Sequence, residues 1–551
     1  MQRRTNHRLL GGLAVATTVA LASTVAPAPP AQAATDDFIM GTDLGMLAEV
    51  EDLGGTFSQD GVPGDAVEIL AGSGANLARL RLWVDPYTVD GEPYGGGTND
   101  LATTIAMAQR AKAEGMDVML DFHLSDWWAD PGTQTKPKEW RGLAYADLVT
   151  TVHDYTEDVI TQMRAAGVLP DMVQMGNEIT GGVLWDDGRV GGTFTDFGPL
   201  AELLTAGFDG VDDALAAGED VERVLALDWG GDNPLYRWWF DAITAEGVDF
   251  DVIGLSYYPF WHGTMGELAY NLNDISQRYD KDVLIVETAY GWTLGDGDGL
   301  GNSFYTAEEA TGGYPATVAG QTAFLRDLVE IVQDVPGDRG RGIVWWEPAW
   351  LPVPGANWGT EAGKEDNDDT GLLSNPWDNQ TLFDWDGEAL DTLDVFGDVT
   401  QPVNHVVNGD FEADGWTSTP TGWSVWGATT DDATAVFTQD PAVVGGFKLV
   451  HWKDTAYEAS TYQTVTGLAN GTYRLTAWVL NGGGQDTAQM YVKGYGGAER
   501  VLDLPVSASA WTKITIDGIA VTTGQAELGF YSDAAAGTWI NVDNVKLTAT
   551  S

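Results

Sequence analysis

From residue 38 to about residue 396 the chain alternates two textures. Short, strongly apolar runs at 38–43, 76–83, 117–122, 172–177, 221–228, 251–257, 282–287 and 342–347 read as strands. Between them lie stretches such as 101–114, 143–166 and 321–332, whose apolar positions recur at helical spacing. Regular strand–helix alternation predicts a parallel sheet with right-handed crossovers, and this many units suit a closed (β/α)8 TIM barrel, an α/β fold. An open, doubly wound sheet is the rival. It would normally carry a glycine-rich phosphate turn after its first strand, and Gly41-Thr42-Asp43-Leu44-Gly45 is not one.

After a short polar joint at 398–404 the texture changes. From 405 to 551 the period becomes two, in runs such as 472–480, 488–493, 512–516 and 526–531, separated by Gly, Asn, Asp and Ser. This predicts an all-β jelly-roll sandwich. Ahead of the barrel, Arg3, Arg4 and Arg8 precede an apolar run over 9–25, a proline-rich break and Ala31-Gln32-Ala33. That order matches a secretory signal peptide cleaved after Ala33. A permanent membrane anchor is the alternative, but the run is rich in Ala, Thr and Gly and only weakly hydrophobic. The expected organisation is a signal peptide over 1–33, a barrel over 34–397, a linker over 398–404 and a sandwich over 405–551.

Composition narrows the partners. Acidic residues outnumber basic ones 82 to 27, a net charge of −55, which argues against nucleic acid and anionic membranes. The chain carries 23 Trp and 18 Tyr, and aromatic faces on an acidic chain suit the C–H faces of neutral sugars. There is no cysteine, so neither disulfides nor thiolate chemistry are available. The expectation is a secreted, extracellular monomer with no membrane attachment after signal cleavage.

In a parallel barrel the chemistry gathers where strands end at the C-terminal face. The fourth strand closes on Gly176-Asn177-Glu178 and the seventh on Val286-Glu287-Thr288. Two carboxyl groups across a barrel mouth are the minimum equipment for cleaving a glycosidic bond, one protonated and one ionised. In the second strand, alternation puts Arg79, Arg81 and Trp83 on one face and Leu80 and Leu82 on the other. Inward arginines need anionic partners, and a nucleophilic carboxylate is one.

A set of ordered motifs then resembles the endo-β-1,4-galactanases of glycoside hydrolase family 53. They are NLARLRLWVDP at 76–86, LDFHLSDWWADPGTQTKPKEW at 120–140, QMGNE at 174–178, SYYPFWHG at 256–263, VETAY at 286–290, GYPATVAGQ at 313–321, WEPAW at 346–350 and NQTLFD at 379–384. The resemblance implies a retaining hydrolase of β-1,4-galactan and type I arabinogalactan, with Glu178 as acid/base and Glu287 as nucleophile. It further implies that Asn177 holds the sugar 2-hydroxyl and that Arg79 lies beside the nucleophile, with Tyr257 or Tyr258 hydrogen-bonded to it. His123 and His262 would line the site, Trp346 would form an aromatic floor, and Asp43 and Glu347 would meet sugar hydroxyls. A related barrel hydrolase acting on mannan, xylan or β-glucan, and a non-catalytic polysaccharide-binding protein, are the competing readings.

After the seventh strand, Asp296, Asp298 and Asn302 alternate with glycines, a spacing of hard oxygen ligands that suits Ca2+. The family resemblance adds a second segment with Asn375 and Asp378, and Leu300 acting through its carbonyl. The sandwich opens on Asn408-Gly409-Asp410-Phe411-Glu412 and closes on Asn541-Val542-Asp543-Asn544-Val545. These ends resemble jelly-roll carbohydrate-binding modules, making Asp410, Glu412 and Asp543 candidates for a second structural Ca2+. The stretch 451–494 is similar to galactan-binding modules of family 61, with Trp426, Trp452, Tyr457, Tyr491 and Tyr495 as its candidate stacking surface.

Overall fold

The apolar runs become eight parallel strands: β1 (Ile39–Asp43), β2 (Leu77–Leu82), β3 (Asp117–Phe122), β4 (Met172–Met175), β5 (Glu222–Leu227), β6 (Val252–Ser256), β7 (Asp282–Thr288) and β8 (Gly340–Trp345). They close into a barrel in which β8 pairs with β1 and β1 with β2. The computed structural model describes residues 38–400, 402–427 and 435–550, and the signal peptide expected over 1–33 lies outside them. Among the described residues no helix is long and apolar enough to cross a membrane.

Strand alternation sorts the side chains. Ile39, Leu77, Met119, Met172, Val224, Val252, Leu284 and Val344 fill the inside of the barrel as one apolar cluster. Their neighbours, such as Ala78, Leu80 and Leu82, join a larger core under the surrounding helices. The principal outer helices are α1 (Ala66–Gly72), α2 (Leu101–Ala113), α3 (Tyr145–Ala165), α4 (Gly198–Ala214), α5 (Asn233–Ala245), α6 (Met265–Tyr279) and α7 (Val318–Gln333). Local sequence sets their starts. Thr264 caps α6 in a reciprocal box with Glu267, and Thr317 caps α7 by accepting from the Gly320 N–H, so α7 begins three residues earlier than its apolar period implies.

Some strands stop short of the residues expected to close them. Asn177, Asp228, Tyr257 and Glu347 sit just past β4, β5, β6 and β8. The backbone turns there: Gly176 takes a φ of 85°, and Glu178, Trp229 and Glu347 are non-glycine residues with φ of 49°, 55° and 46°. Such left-handed positions are costly for residues with a Cβ and collect at functional sites.

The C-terminal region is all β. Its strands are β9 (Ser424–Gly427), β10 (Val436–Gln439), β11 (Lys448–Trp452), β12 (Tyr457–Thr466), β13 (Gly471–Asn481), β14 (Gln485–Lys493), β15 (Arg500–Asp503), β16 (Ser507–Val521), β17 (Gln525–Ala534) and β18 (Trp539–Ala549). They form two antiparallel sheets, β9-β12-β17-β14-β15 and β10-β11-β18-β13-β16, around their own apolar core.

The second sheet turns its outer face to α6 and α7. Val443, Trp478 and Trp511 pack into the barrel's core cluster. Lys513 bonds Asp327 at 2.9 Å and Glu330 at 2.6 Å, and Lys546 bonds Glu330 at 3.0 Å and Asp334 at 2.6 Å. Asn273 exchanges two 2.8 Å hydrogen bonds with the Gly445 backbone. A Cβ on Gly266 would stand 2.1 Å from the Trp511 carbonyl oxygen, so only glycine permits this approach.

Candidate active site

At the mouth of the barrel the inward face of β2 carries two arginines in place of apolar side chains, and carboxylates meet them from neighbouring strands. Arg79 lies 2.8 Å from Asp43, 2.8 Å from Asp121 and 2.9 Å from Glu287, and it donates to Asn177 Oδ1 at 2.8 Å. Burial alone would lower its pKa, but Asp121, Glu287 and Asp43 outweigh this and hold it charged. Burial pushes the Asp121 carboxyl up, and Arg79 and His123 more than reverse it, so Asp121 stays ionised. Arg81 joins Asp43 to Glu347, whose other oxygen accepts from the Met46 N–H at 3.0 Å.

Glu287 owes its direction to a break in strand pairing. Val286 points into the barrel, and strict alternation would send Glu287 outward. Register shifts between β6 and β7 and between β7 and β8 interrupt the ladder here, which re-aims the carboxyl into the mouth. Its second oxygen accepts from Tyr258 Oη at 3.3 Å. Glu178 faces the same cavity, a hollow of about 480 Å³. Burial and the charges of Glu287 and Asp228 push the Glu178 carboxyl well above the ordinary range. Burial lifts Glu287 as well, to about 7, with the Arg79 guanidinium limiting the rise, so Glu178 is the one that keeps its proton to higher pH.

His123 and His262 both line the cavity. His123 Nδ1 accepts from Trp83 Nε1 at 3.3 Å and from the Ala129 N–H at 3.2 Å, leaving Nε2 to face Asp121 at 3.2 Å. His262 Nδ1 lies 3.0 Å from the Ser256 carbonyl. Burial pulls its pKa down to about 4, so the ring is neutral through the mildly acidic and neutral range. Asn177 is fixed by Arg79 and by its own amide donating to the Ala129 carbonyl at 2.8 Å. Trp346 packs edge-on to Trp377 at 4.6 Å and beside Trp128 at 6.4 Å.

Several expectations are corrected. Tyr257 gives its hydroxyl to the Gly263 carbonyl, 2.9 Å away, and Tyr258 alone of the pair reaches Glu287. Asp43 and Glu347 do not line the cavity; each is 1% exposed and committed to the arginines. Arg81, Trp128, Asp130, Trp261 and Trp377 do line it, although the sequence reading did not assign them to the site. Trp128 had a signal in the Trp-Trp-Ala-Asp-Pro run and stacks on the Arg81 guanidinium at 4.3 Å. Trp377 had none, because it comes from a loop far along the chain.

In the loops after β7 and β8, carboxylate oxygens of Asp296, Asp298 and Asp378 come within 4.8 Å of one another. Asn302 joins through its amide nitrogen, 3.0 Å from Asp378, while its Oδ1 is buried and has no hydrogen-bond partner. Three carboxylates this close, with an unpartnered amide oxygen on a residue bonded to one of them, fit a hard cation. Asn375 is corrected as a side-chain ligand: its Oδ1 accepts from the Trp377 N–H and its Nδ2 donates to Trp350, while its backbone N–H braces Asp298. Leu300 also braces Asp298 through its N–H, at 2.7 Å.

In the sandwich, Asp410, Glu412 and Asp543 do not gather into such a group. Glu412 is held by the N–H groups of Gly446 and Phe447, and Asp543 by those of Val443, Val444 and Asn544. Tyr457 and Tyr495 are corrected from stacking residues to core, 3% and 5% exposed: alternation turns Tyr457 inward at the start of β12, and Tyr495 folds in from the turn after β14. Tyr491 is also covered, beneath the Lys493 ammonium at 4.7 Å. Trp426 and Trp452 remain at the surface.

The comparisons with known proteins agree with this geometry. The endo-beta-1,4-galactanase of Bacillus subtilis strain 168 is 36% identical over 382 residues, covering 65% of this chain and 85% of that protein. A Niallia circulans protein, an uncharacterized protein in the bgaB 5' region, is 42% identical over 364 residues, covering 65% of this chain and 92% of that one. The solved Ignisphaera aggregans GH53 catalytic domain is 41% identical with a TM-score of 0.61, covering 66% of this chain and 97% of that domain. The model of glycosyl hydrolase family 53 matches residues 39–396, and the chain belongs to that family.

Proposed function

We propose that this protein is a secreted, retaining endo-β-1,4-galactanase that cuts the galactan and type I arabinogalactan chains of pectin. The observation that carries the reading is the Glu178–Glu287 pair facing one aromatic-lined cavity, with Arg79 bonded to the second acid, in a family 53 chain. Relatives from Bacillus subtilis and Cellvibrio japonicus bear endo-β-1,4-galactanase names, which supports the substrate.

The two acids take separate roles. Glu287, in its ionised form and paired with Arg79, attacks the anomeric carbon as Glu178 gives its proton to the departing glycosidic oxygen. The C–O bond to the leaving chain breaks and an ester to Glu287 forms. Water then attacks the same carbon, Glu178 accepts its proton, and the ester opens with net retention. Tyr258 orients the Glu287 carboxylate and Asn177 meets the sugar 2-hydroxyl. His123 and His262 line the cavity as rings fixed by their neighbours, and Trp346 offers a face for the sugar at the cut. Arg81 positions Asp43 and Glu347 behind this set.

Ca2+ belongs to the same proposal. Asp296, Asp298, Asp378 and Asn302, with the Leu300 carbonyl, would hold it as a structural ion that fixes the loop after β7. Trp426 and Trp452 are the surviving candidates for a galactan-binding face on the sandwich. Residues 1–33 act as the signal peptide, and the mature chain works as a monomer.

Reducing-sugar release from pectic galactan, measured beside mannan, xylan and β-glucan, tests the substrate. Galactan should be hydrolysed and the others left essentially intact; preferential attack on mannan, xylan or β-glucan would contradict the assignment.

A further inference from the structure

An outer helix of a barrel runs back from the mouth, starting near the end of the strand before it. α6 follows the loop 257–263, which carries Tyr258 and His262 into the catalytic cavity. Gly266, Ala269 and Asn273 recur along α6 at helical spacing and are buried. That stripe meets the sandwich: Trp511 of β16 lies on Gly266, and Val444 and Trp478 lie beside Ala269 and Asn273. Gly266 falls inside the capping box of Thr264 and Glu267, and Gly263, just before the cap, accepts from Tyr257 Oη at 2.9 Å. The sandwich is therefore seated on the turn that anchors the Tyr258 loop.

Lys513, on the same face of β16 as Trp511, reaches that loop by another route. It bonds one oxygen of Asp327 at 2.9 Å, and the other oxygen accepts from Tyr314 Oη at 2.8 Å. The Tyr314 N–H donates to Tyr290 Oη at 3.0 Å, and that hydroxyl donates to the Tyr314 carbonyl at 2.6 Å. Tyr290 follows β7 closely, and its ring lies 6.2 Å from Phe260, which lies 5.9 Å from Tyr258. Tyr258, Phe260 and Tyr290 are all buried, and close-packed rings have no void to absorb a displacement. Both contacts of β16 thus converge on one hydrogen bond, from Tyr258 Oη to Glu287. Lys546 bonds Glu330 and Asp334 instead, toward the end of α7 remote from the mouth.

We propose that the sandwich is part of the active-site framework: Trp511 and Lys513 are positioning residues that hold Tyr258 against Glu287, so turnover in the barrel depends on the docked β16. The proposal rests on the galactanase reading. The test assays full-length variants on galactan, well below their melting temperatures. Trp511→Ala and Lys513→Met should each lower kcat about three- to tenfold, with KM changed less than about twofold. Their acid limb should move to higher pH. Glu287 is faced by Arg79, Asp43, Asp121, Glu178 and Tyr258, and loosening the Tyr258 hydroxyl removes a bond that favours its ionised form. Trp511→Phe should keep most of the wild-type kcat. Lys546→Met should melt earlier yet keep the wild-type kcat and pH profile. In a Tyr258→Phe background, adding Trp511→Ala or Lys513→Met should cost no further turnover. Wild-type kcat and acid limb in Lys513→Met, an equal kcat loss in Lys546→Met, or losses that multiply in the Tyr258→Phe background would overturn the proposal, whether or not Trp511→Ala folds. Failure of the wild-type protein to cut galactan would instead overturn the galactanase reading, and this proposal with it.

Discussion

Each acid is defined by what surrounds it. Replacing Glu287 with Ala should lower turnover on galactan by several orders of magnitude, since the covalent step loses its nucleophile. Azide added to that variant should yield an inverted galactosyl azide. Wild-type-like turnover of Glu287→Ala would remove Glu287 from the mechanism. The pH profile carries a second prediction. Glu178 must be protonated to act as the acid, and burial together with the Glu287 charge keeps it so to higher pH than an ordinary carboxyl. The rate should therefore fall as pH rises through the Glu178 pKa, and Glu178→Gln should abolish this alkaline limb along with most of the activity on natural galactan. Measured kcat/KM from pH 4 to 9 for both proteins decides the matter.

At this scale the sequence was informative where chemistry sits at strand ends and silent where contacts cross the chain. Glu178, Glu287, Arg79 and Asn177 could be found because each ends or lines an apolar strand. Choosing Tyr258 over Tyr257 required knowing that β6 stops at Ser256, so that the next two residues no longer alternate as in a strand. Trp377 joins the cavity from the loop that also bears Asp378, and nothing local announces it.

Among elements, the helix α7 has a role that its apolar period does not reveal. Its polar face supplies Asp327, Glu330 and Asp334 to Lys513 and Lys546 of the sandwich. Lys546 and Lys513 hold Glu330 far down, to about 2, despite its burial. A carboxyl depressed in the folded state stabilises the fold above its unfolded pKa, near 4.5, and that contribution disappears as pH falls toward 2. Lys546→Met should therefore lower the melting temperature at pH 6 and cost up to about 3–5 kcal/mol, the range for breaking a buried pair. The deficit should shrink steadily as the pH is lowered below 4. A deficit independent of pH would mean that packing, and not the ion pairs, docks the sandwich.

Strand positions were legible for the barrel because both faces of each strand are buried, which leaves continuous apolar runs in the sequence. The sandwich strands alternate, so their existence could be read. Which face looks outward could not, and Tyr457 went to the wrong side for that reason; Tyr495 lies past the end of β14, where alternation no longer applies. The docking of β16 and β18 on α6 and α7 was invisible, since Lys513 and Lys546 look like ordinary surface lysines until the acidic partners nearly two hundred residues away are placed beside them.

For the molecule as a whole, the acidic loops need a counterweight. Asp378 is lifted to about 6, chiefly by burial, with Asp298 adding to the rise. A bound Ca2+ would reverse that pressure and stabilise the fold by mass action. Adding a chelator should lower the melting temperature by several degrees, and added Ca2+ should restore it; Asp296→Asn should make the protein insensitive to both. An unchanged melting curve with no metal detected after dialysis would eliminate the site.

The central claim is that Glu178 and Glu287 act on one bond of galactan by double displacement, which requires carboxyl groups about 5–5.5 Å apart. Proton NMR of the first products released from β-1,4-galactan measures it most directly. The new reducing end should appear first as the β anomer and equilibrate later. Initial appearance of the α anomer would show single displacement and contradict the account.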